Sequence, residues 1–334
     1  MIDLANRIGL QPNLLWAIGA MLGSLLLGSS LRVIWLTISP TEQNRDRLAS
    51  LKTWWVLVLL FCGAVLLGRV AIAGLFALAS WLGLREFRRL THQGGGTRIA
   101  QRWIYAAVPL QFLWAALGWF EPFWITVPVA SLLVIAGSTA AAGKTKGFLL
   151  EATTATWGLM LIVFCLSHAA MFLALPETSN SVAGNAGWIV YLILLTETND
   201  IAQALWGRQL GRHKVTPQVS PHKTWEGLLL GIGTTVLLAI ALAPLLTPLP
   251  DGPTREVLRF KFEMEFPFVW SALAGVAIAV SGFFGDITMS AVKRDVGIKD
   301  SSSLLPGQGG MLDRIDSLMF TAPVFFYFVY WLYV

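Results

Sequence analysis

Charge is what this chain has least of. Asp, Glu, Lys and Arg make up 13 % of its 334 residues, about half the share found in a soluble domain. An ordinary solvated surface is thereby excluded. With 55 % hydrophobic residues, arranged in repeated apolar runs of about 20, the composition predicts an all-α, polytopic helical membrane protein with about 9–10 transmembrane helices. Cysteine is almost absent: Cys62 and Cys165 both lie within apolar runs, which excludes a disulfide framework and a thiolate metal site. No repeat or low-complexity tract stands out. Residues 1–13 carry Asp3 and Arg7 and lack a small-residue cleavage pattern, so the run that follows reads as a first span. The net charge of +5 is scattered among helix ends. It therefore implies a lipid bilayer as partner and no nucleic acid.

Candidate spans fall near 14–38, 54–68, 70–84, 103–120, 122–142, 148–175, 186–206, 226–249, 267–292 and 317–334. Only Arg69 divides the second from the third, so one long tilted helix is an alternative there. Of the 24 Lys and Arg residues, 18 lie in five loops of one parity: 40–52, 85–102, 143–147, 207–224 and 293–316. The positive-inside rule places those loops in the cytoplasm and both termini outside. Residues 1–140 then form N-terminal transmembrane helices. Residues 141–334 form a catalytic transmembrane region with cytoplasmic loops 207–224 and 293–316. The segment 250–266 reads as an external loop with some interfacial helix.

What charge there is gathers. Residues 282–316 hold nine charged side chains of both signs: Asp286, Lys293, Arg294, Asp295, Lys299, Asp300, Asp313, Arg314 and Asp316. Carboxylates beside cations next to a glycine turn suit divalent metal and phosphate handled together. Asp286, Ser290 and Lys293 are spaced to share one helical face. Asp286 lies about 10 Å deeper than Lys293 at about 1.5 Å per residue. A mid-helix carboxylate costs roughly 2.5–3.5 kcal/mol on the insertion scale, so a metal or a basic partner is expected beside it. Pro306-Gly307-Gln308-Gly309-Gly310 predicts a tight turn before a new helix, with Asp313 and Asp316 on one face at its start. Hard carboxylates without a His/Cys cluster favour Mg²⁺ over Zn²⁺. In the earlier loop, Asn199 and Asp200 end an apolar span. Ser220 reads as the N-cap of the next helix and Pro221 as its first residue. That helix start, with Lys223 beside it, would be an anion site. A polar seam of ion pairs, or an ordinary helix start with snorkelling cations, is the plainer alternative for each segment.

These residues resemble a known family. Ser290-x-x-Lys293-Arg294, Lys299-Asp300, the 306–310 turn and Leu312-Asp313-Arg314-Ile315-Asp316-Ser317 look like the signature of the phosphatidate cytidylyltransferase (CDP-diacylglycerol synthase) family. Asn199-Asp200, Gly211-Arg212-x-Lys214 and Ser220-Pro221-x-Lys223-Thr224-x-Glu226-Gly227 are similar to its second block. The resemblance spans roughly 196–317. Earlier residues match only in hydropathy and in the charged ending Arg85-Glu86-Phe87. Two departures are Gln308, where the family usually has His, and Ala204, where it usually has an aromatic residue.

The resemblance implies cytidylyl transfer from CTP to phosphatidate, giving CDP-diacylglycerol and pyrophosphate for phospholipid biosynthesis. It implies Mg²⁺, leaves a second metal ion open, and places the active site on the cytoplasmic face of a bacterial inner membrane. Asp286 and Asp313 would be metal ligands, supported by Asp200 and Asp316. Lys293, Arg294, Lys299, Arg314 and Lys223 would hold the CTP and lipid phosphates. Asn199, Ser220 and Ser290 would assist in binding, and Gly309 and Gly310 would let the backbone approach the phosphates. Asp295 and His213 read as solvated charges. A homodimer is left open. The competing readings are a CTP-dependent lipid kinase of the polyprenol or phytol type, an ion-coupled transporter and a non-catalytic paralogue.

Overall fold

Among the described residues of the computed structural model, ten helical rods, numbered here in chain order, carry the fold. The structure describes residues 11–38, 42–91, 97–143, 145–177, 181–253 and 268–334, and side chains from 50 onward in the second segment. The rods are α1 (Pro12–Ile38), α2 (Glu42–Leu67), α3 (Arg69–Leu90), α4 (Arg98–Leu117), α5 (Phe120–Ala141), α6 (Phe148–Ala174), α7 (Gly184–Leu210), α8 (Trp225–Leu246), α9 (Val269–Asp295) and α10 (Leu312–Tyr333). All but α4 and α7 are long and apolar enough to cross a membrane by length and composition, counting α2 from Ser50. The α7 helix is interrupted chemically by Thr196-Glu197-Thr198-Asn199-Asp200. The architecture is the all-α polytopic membrane protein expected from composition. The chain's strand content among the described residues is one hairpin, β1 (Lys214–Thr216) with β2 (Ser220–Thr224).

The open question at Arg69 is resolved: α2 ends at Leu67, and Gly68 turns with φ 88° before α3 begins. That backbone region admits glycine without a Cβ penalty. The expected loop at 250–266 is described only to residue 253, and residues 1–10, with Asp3 and Arg7, lie outside the described residues.

Two packing themes position the site. Helices α7, α8, α9 and α10 pack successively, α7 on α8, α8 on α9 and α9 on α10. Small residues set their spacing. A Cβ added to Gly285 of α9 would meet the Ser317 Cα at 2.9 Å, so glycine brings α9 backbone-close to the start of α10. At the far ends of α7 and α10, Trp188 meets Phe325 edge-on and Tyr191 meets it at a tilt in the core, and the Tyr191 hydroxyl donates to the Ala239 carbonyl at 3.0 Å. Separately, α3 packs on α4 and on the middle of α6. The start of α2 and the end of α3 reach the loop between α9 and α10.

Candidate active site

The α7–α8 connection folds differently from the sequence expectation. Ser220 and Pro221 are not a helix start: they lie in β2, whose Ser220 pairs with Thr216 and whose Thr224 pairs with Lys214. The hairpin uses the backbone of 220–224. The helix then starts at Trp225 with Thr224 as N-cap, its hydroxyl accepting from the Gly227 N–H at 3.1 Å. Glu226 ties the hairpin down, accepting from the backbone N–H groups of Arg212 (3.0 Å) and His213 (3.2 Å). The His213 ring meets the same carboxylate at 2.6 Å and is exposed. The consequence for chemistry is that Lys223 is delivered by a strand. Its ammonium reaches inward to Asp286 at 2.5 Å and to the Gln203 side-chain oxygen at 3.3 Å.

Asn199 is fully buried, and the protein occupies it on several sides. Its amide donates to the Ala279 carbonyl at 3.3 Å. Its oxygen accepts from Gln203 at 3.0 Å and from Thr235 at 3.3 Å. These bonds join α7, α8 and α9 directly below Lys223. Asp286 accepts from the Ser290 hydroxyl at 3.3 Å, as their shared helical face anticipates, and Lys293 continues along that face to Asp313 of α10 at 2.7 Å. The basic partner expected for Asp286 is therefore Lys223.

The α9–α10 loop is organised by two carboxylates. Asp313 accepts Lys293 on Oδ1. On Oδ2 it accepts the Ser301 N–H (2.9 Å), the Ser301 hydroxyl (2.8 Å) and the Gly310 N–H (2.9 Å). Glu86, at the end of α3 and 5 % exposed, accepts Ser302 Oγ (2.7 Å) and the Met311 N–H (3.0 Å) on Oε1. Its Oε2 accepts Ser301 Oγ (2.9 Å) and the Leu312 N–H (2.9 Å). Glu86 thus caps α10 from a different helix, satisfying N–H groups that have no partner within α10 itself. Gly310 is where both carboxylates converge: a Cβ there would run into Glu86 and Ser301. The close approach that Gly310 permits is to protein carboxylates. At Gly309, φ is 80° and a Cβ would meet Asp313.

The 306–310 turn forms as expected, with the Leu305 N–H donating to the Gly309 carbonyl at 2.8 Å and the Gln308 N–H to Leu305 at 2.9 Å. Gln308 turns toward α2. Its amide donates to the Ser50 carbonyl and hydroxyl, both at 3.1 Å, and the Thr53 hydroxyl donates to the Pro306 carbonyl at 2.9 Å. Arg294 is exposed and donates to the carbonyls of Val219 (3.3 Å) and Ile298 (2.9 Å), bridging hairpin and loop. Lys299, Asp295 and Asp300 are exposed.

Three acids meet between α7, α9 and α10. Asp200, Asp286 and Asp316 lie within electrostatic reach of one another, with Lys223 and Lys293 nearby. Asp200 Oδ1 is buried without a hydrogen-bond partner. Among the described residues no set of three His, Cys, Asp or Glu side chains stands in ligating geometry. Asp200 and Asp286 are hard oxygen donors of the kind Mg²⁺ takes, one or two carboxylates with water and substrate phosphates completing the shell. Asp313 faces protein donors on both oxygens, so a ligand role for it requires Lys293 to move onto a phosphate.

Gln203 and Ser301, and the role of Glu86 in the α9–α10 loop, escaped sequence reasoning. Glu86 left one signal, a lone acid between Arg85 and Phe87 at the end of an apolar span. Ser301 and Gln203 left none, because their partners are distant in sequence.

A family model described as the cytidylyltransferase family matches residues 49–332. The chain is similar to the uncharacterized protein YnbB of Escherichia coli, 40 % identical over 313 residues, covering 94 % of this chain and 97 % of that protein. It is 38 % identical over 132 residues to a phosphatidate cytidylyltransferase of Synechocystis, covering 39 % of each chain. A phosphatidate cytidylyltransferase of Haemophilus influenzae is 38 % identical over 142 residues, which is 42 % of this chain and 45 % of that one. The alignments to those two enzymes thus span less than half of their lengths, whereas the family model takes in nearly every described helix. This chain belongs to the cytidylyltransferase family, as an integral membrane member of it.

Proposed function

We propose that this protein transfers the cytidylyl group of CTP to phosphatidate, giving CDP-diacylglycerol and pyrophosphate. The observation that carries the reading is the pair of partly buried Lys–Asp contacts, Lys223–Asp286 and Lys293–Asp313, which join the β1–β2 hairpin to α9 and α9 to the start of α10. Buried ion pairs gain little over apolar packing, so their presence in an apolar bundle supports a functional role. An oxygen of the lipid phosphate attacks the α-phosphorus of CTP. The bond from that phosphorus to the oxygen bridging to the β-phosphate breaks, and pyrophosphate leaves with the electron pair. The nucleophile is already ionised, so no strong general base is needed, and the site acts by positioning and by cancelling charge.

Lys223 and Lys293 exchange part of their carboxylate contact for phosphate oxygens. Asp286 and Asp200, with Asp316 beside them, would hold Mg²⁺, which supplies charge neutralisation on the phosphates when bound. Asn199 and Gln203 keep Lys223 and Asp286 in register, while Glu86 and Asp313 hold the loop bearing Ser301 and Gly310. Purified protein incubated with labelled CTP and a panel of lipid phosphates and alcohols tests this. Nucleotide-lipid formed from phosphatidate, detected by phosphorus NMR, is the expected product. A phosphorylated alcohol, or uptake without CTP turnover, would replace the reading.

A further inference from the structure

Lys223 and Lys293 both face an aspartate, but they are not held alike. Among the described residues Lys293 has one partner, Asp313. Lys223 has two: Asp286 at 2.5 Å and the neutral side-chain oxygen of Gln203 at 3.3 Å. The centre of the Phe283 ring lies 5.8 Å from its ammonium, within reach of a cation–π contact. An ammonium carries three donors, so one is left over for a ligand.

The Gln203 oxygen is turned to Lys223 by a chain of amides with both ends fixed. At one end the Ala279 carbonyl of α9 can only accept, so Asn199 must show it an NH₂ group, at 3.3 Å. The Asn199 oxygen then faces Gln203, which answers with its own NH₂ at 3.0 Å. That leaves the Gln203 oxygen for the other end, an ammonium that can only donate. Asn199 and Gln203 sit one turn apart on α7, at the i, i+4 spacing that makes side chains neighbours. Neither is more than 3 % exposed. Glycines on both flanking helices make their room. A Cβ on Gly282 of α9 would meet Asn199 Nδ2 at 3.3 Å, and one on Gly231 of α8 would run into the Gln203 Cγ. When Asp286 is drawn to a metal, Lys223 therefore keeps an acceptor within the protein. Lys293, on leaving Asp313 for a phosphate, keeps none among the described residues.

We infer that Gln203 is a positioning residue that seats Lys223 independently of Asp286, making Lys223 the fixed cation of the centre and Lys293 the one that moves. That the two lysines serve phosphates rests on the proposed cytidylyl transfer; the seating does not.

The test reads acetylation of lysines by N-hydroxysuccinimidyl acetate in the purified full-length protein without CTP. Peptides are mapped by mass spectrometry, with exposed Lys214 as internal reference. Asp286→Ala should leave the acetylation rate of Lys223 nearly unchanged. Adding Gln203→Met, which keeps the shape and removes both polar atoms, should raise it several-fold. Asp313→Ala alone should raise the rate at Lys293 several-fold. In turnover assays, Gln203→Met alone should raise the KM for CTP several-fold with little change in kcat. Release of Lys223 by Asp286→Ala alone, no further release with Gln203→Met, a Lys293 still shielded in Asp313→Ala, or an unchanged KM overturns the inference. Acetylation as expected in a protein that fails to turn over CTP would sink the cytidylyl reading and leave the seating of Lys223 standing.

Discussion

Replacing Glu86 by Gln should loosen the α9–α10 loop by a calculable amount. Each carboxylate oxygen accepts one serine hydroxyl and one backbone N–H: Oε1 takes Ser302 and Met311, Oε2 takes Ser301 and Leu312. Glutamine retains one oxygen and turns the other position into an NH₂ group. A hydroxyl facing that NH₂ can rotate and accept, but a backbone N–H cannot. One buried N–H is therefore stranded, at a cost of about 1–3 kcal/mol. That converts to roughly a 5- to 150-fold rise in the open population of the loop. Glu86→Ala strands both N–H groups and should do more. Hydrogen–deuterium exchange on the peptide covering 301–316, in purified protein without substrate, reads this directly. Protection of Met311 and Leu312 should fall by that factor in Glu86→Gln and further in Glu86→Ala, while α8 peptides exchange as in the parent. Unchanged exchange at Met311 and Leu312 would refute the capping role, since the amides would then be held by something else.

Other outcomes follow from the same geometry. Asp286→Asn should abolish turnover while the protein still inserts and purifies, and exposed Asp295→Asn should change the rate less than two- or three-fold, the range of an ordinary surface change; equal damage from both would reassign the carboxylates. Lys223→Met should lower turnover at least tenfold, about 1.4 kcal/mol in transition-state terms, in an assay with CTP varied at saturating lipid; full activity would remove Lys223 from the phosphate site. Gln308→His should alter the rate only a few-fold, because Gln308 docks on Ser50; a silent parent rescued by histidine would show that this position must carry a proton. An impermeant maleimide on intact cells should label Asp251→Cys but not Leu304→Cys, given the 18 basic residues on the loop side; the opposite labelling would invert the topology.

The all-α membrane architecture and the clustering of charge were readable from residue order, because hydropathy over about 20 residues is a local property; the count was not, since 9–10 spans were expected and eight of the described helices are long and apolar enough to cross. The turn at 306–310 and the Asp286–Ser290 pair were readable too, since turn chemistry and helical spacing act within a few residues. The family followed from Ser290 to Ser317 read as one string. Ser220 was misread as a helix cap because Ser-Pro before an apolar run is a sound local signal; the pairing of 220–224 with 214–216 overrode it, and Thr224 took the cap. The partner of Asp286 is 63 positions away in sequence at Lys223, and the cap of α10 comes from Glu86, 225 positions before Met311. Such contacts are set by how α3, α7, α9 and α10 pack, where Gly285 and Gly310 let backbones and carboxylates close in. No spacing rule along the chain encodes that, so the sequence determined which groups the site contains, and only the tertiary structure decided which carboxylate meets which cation.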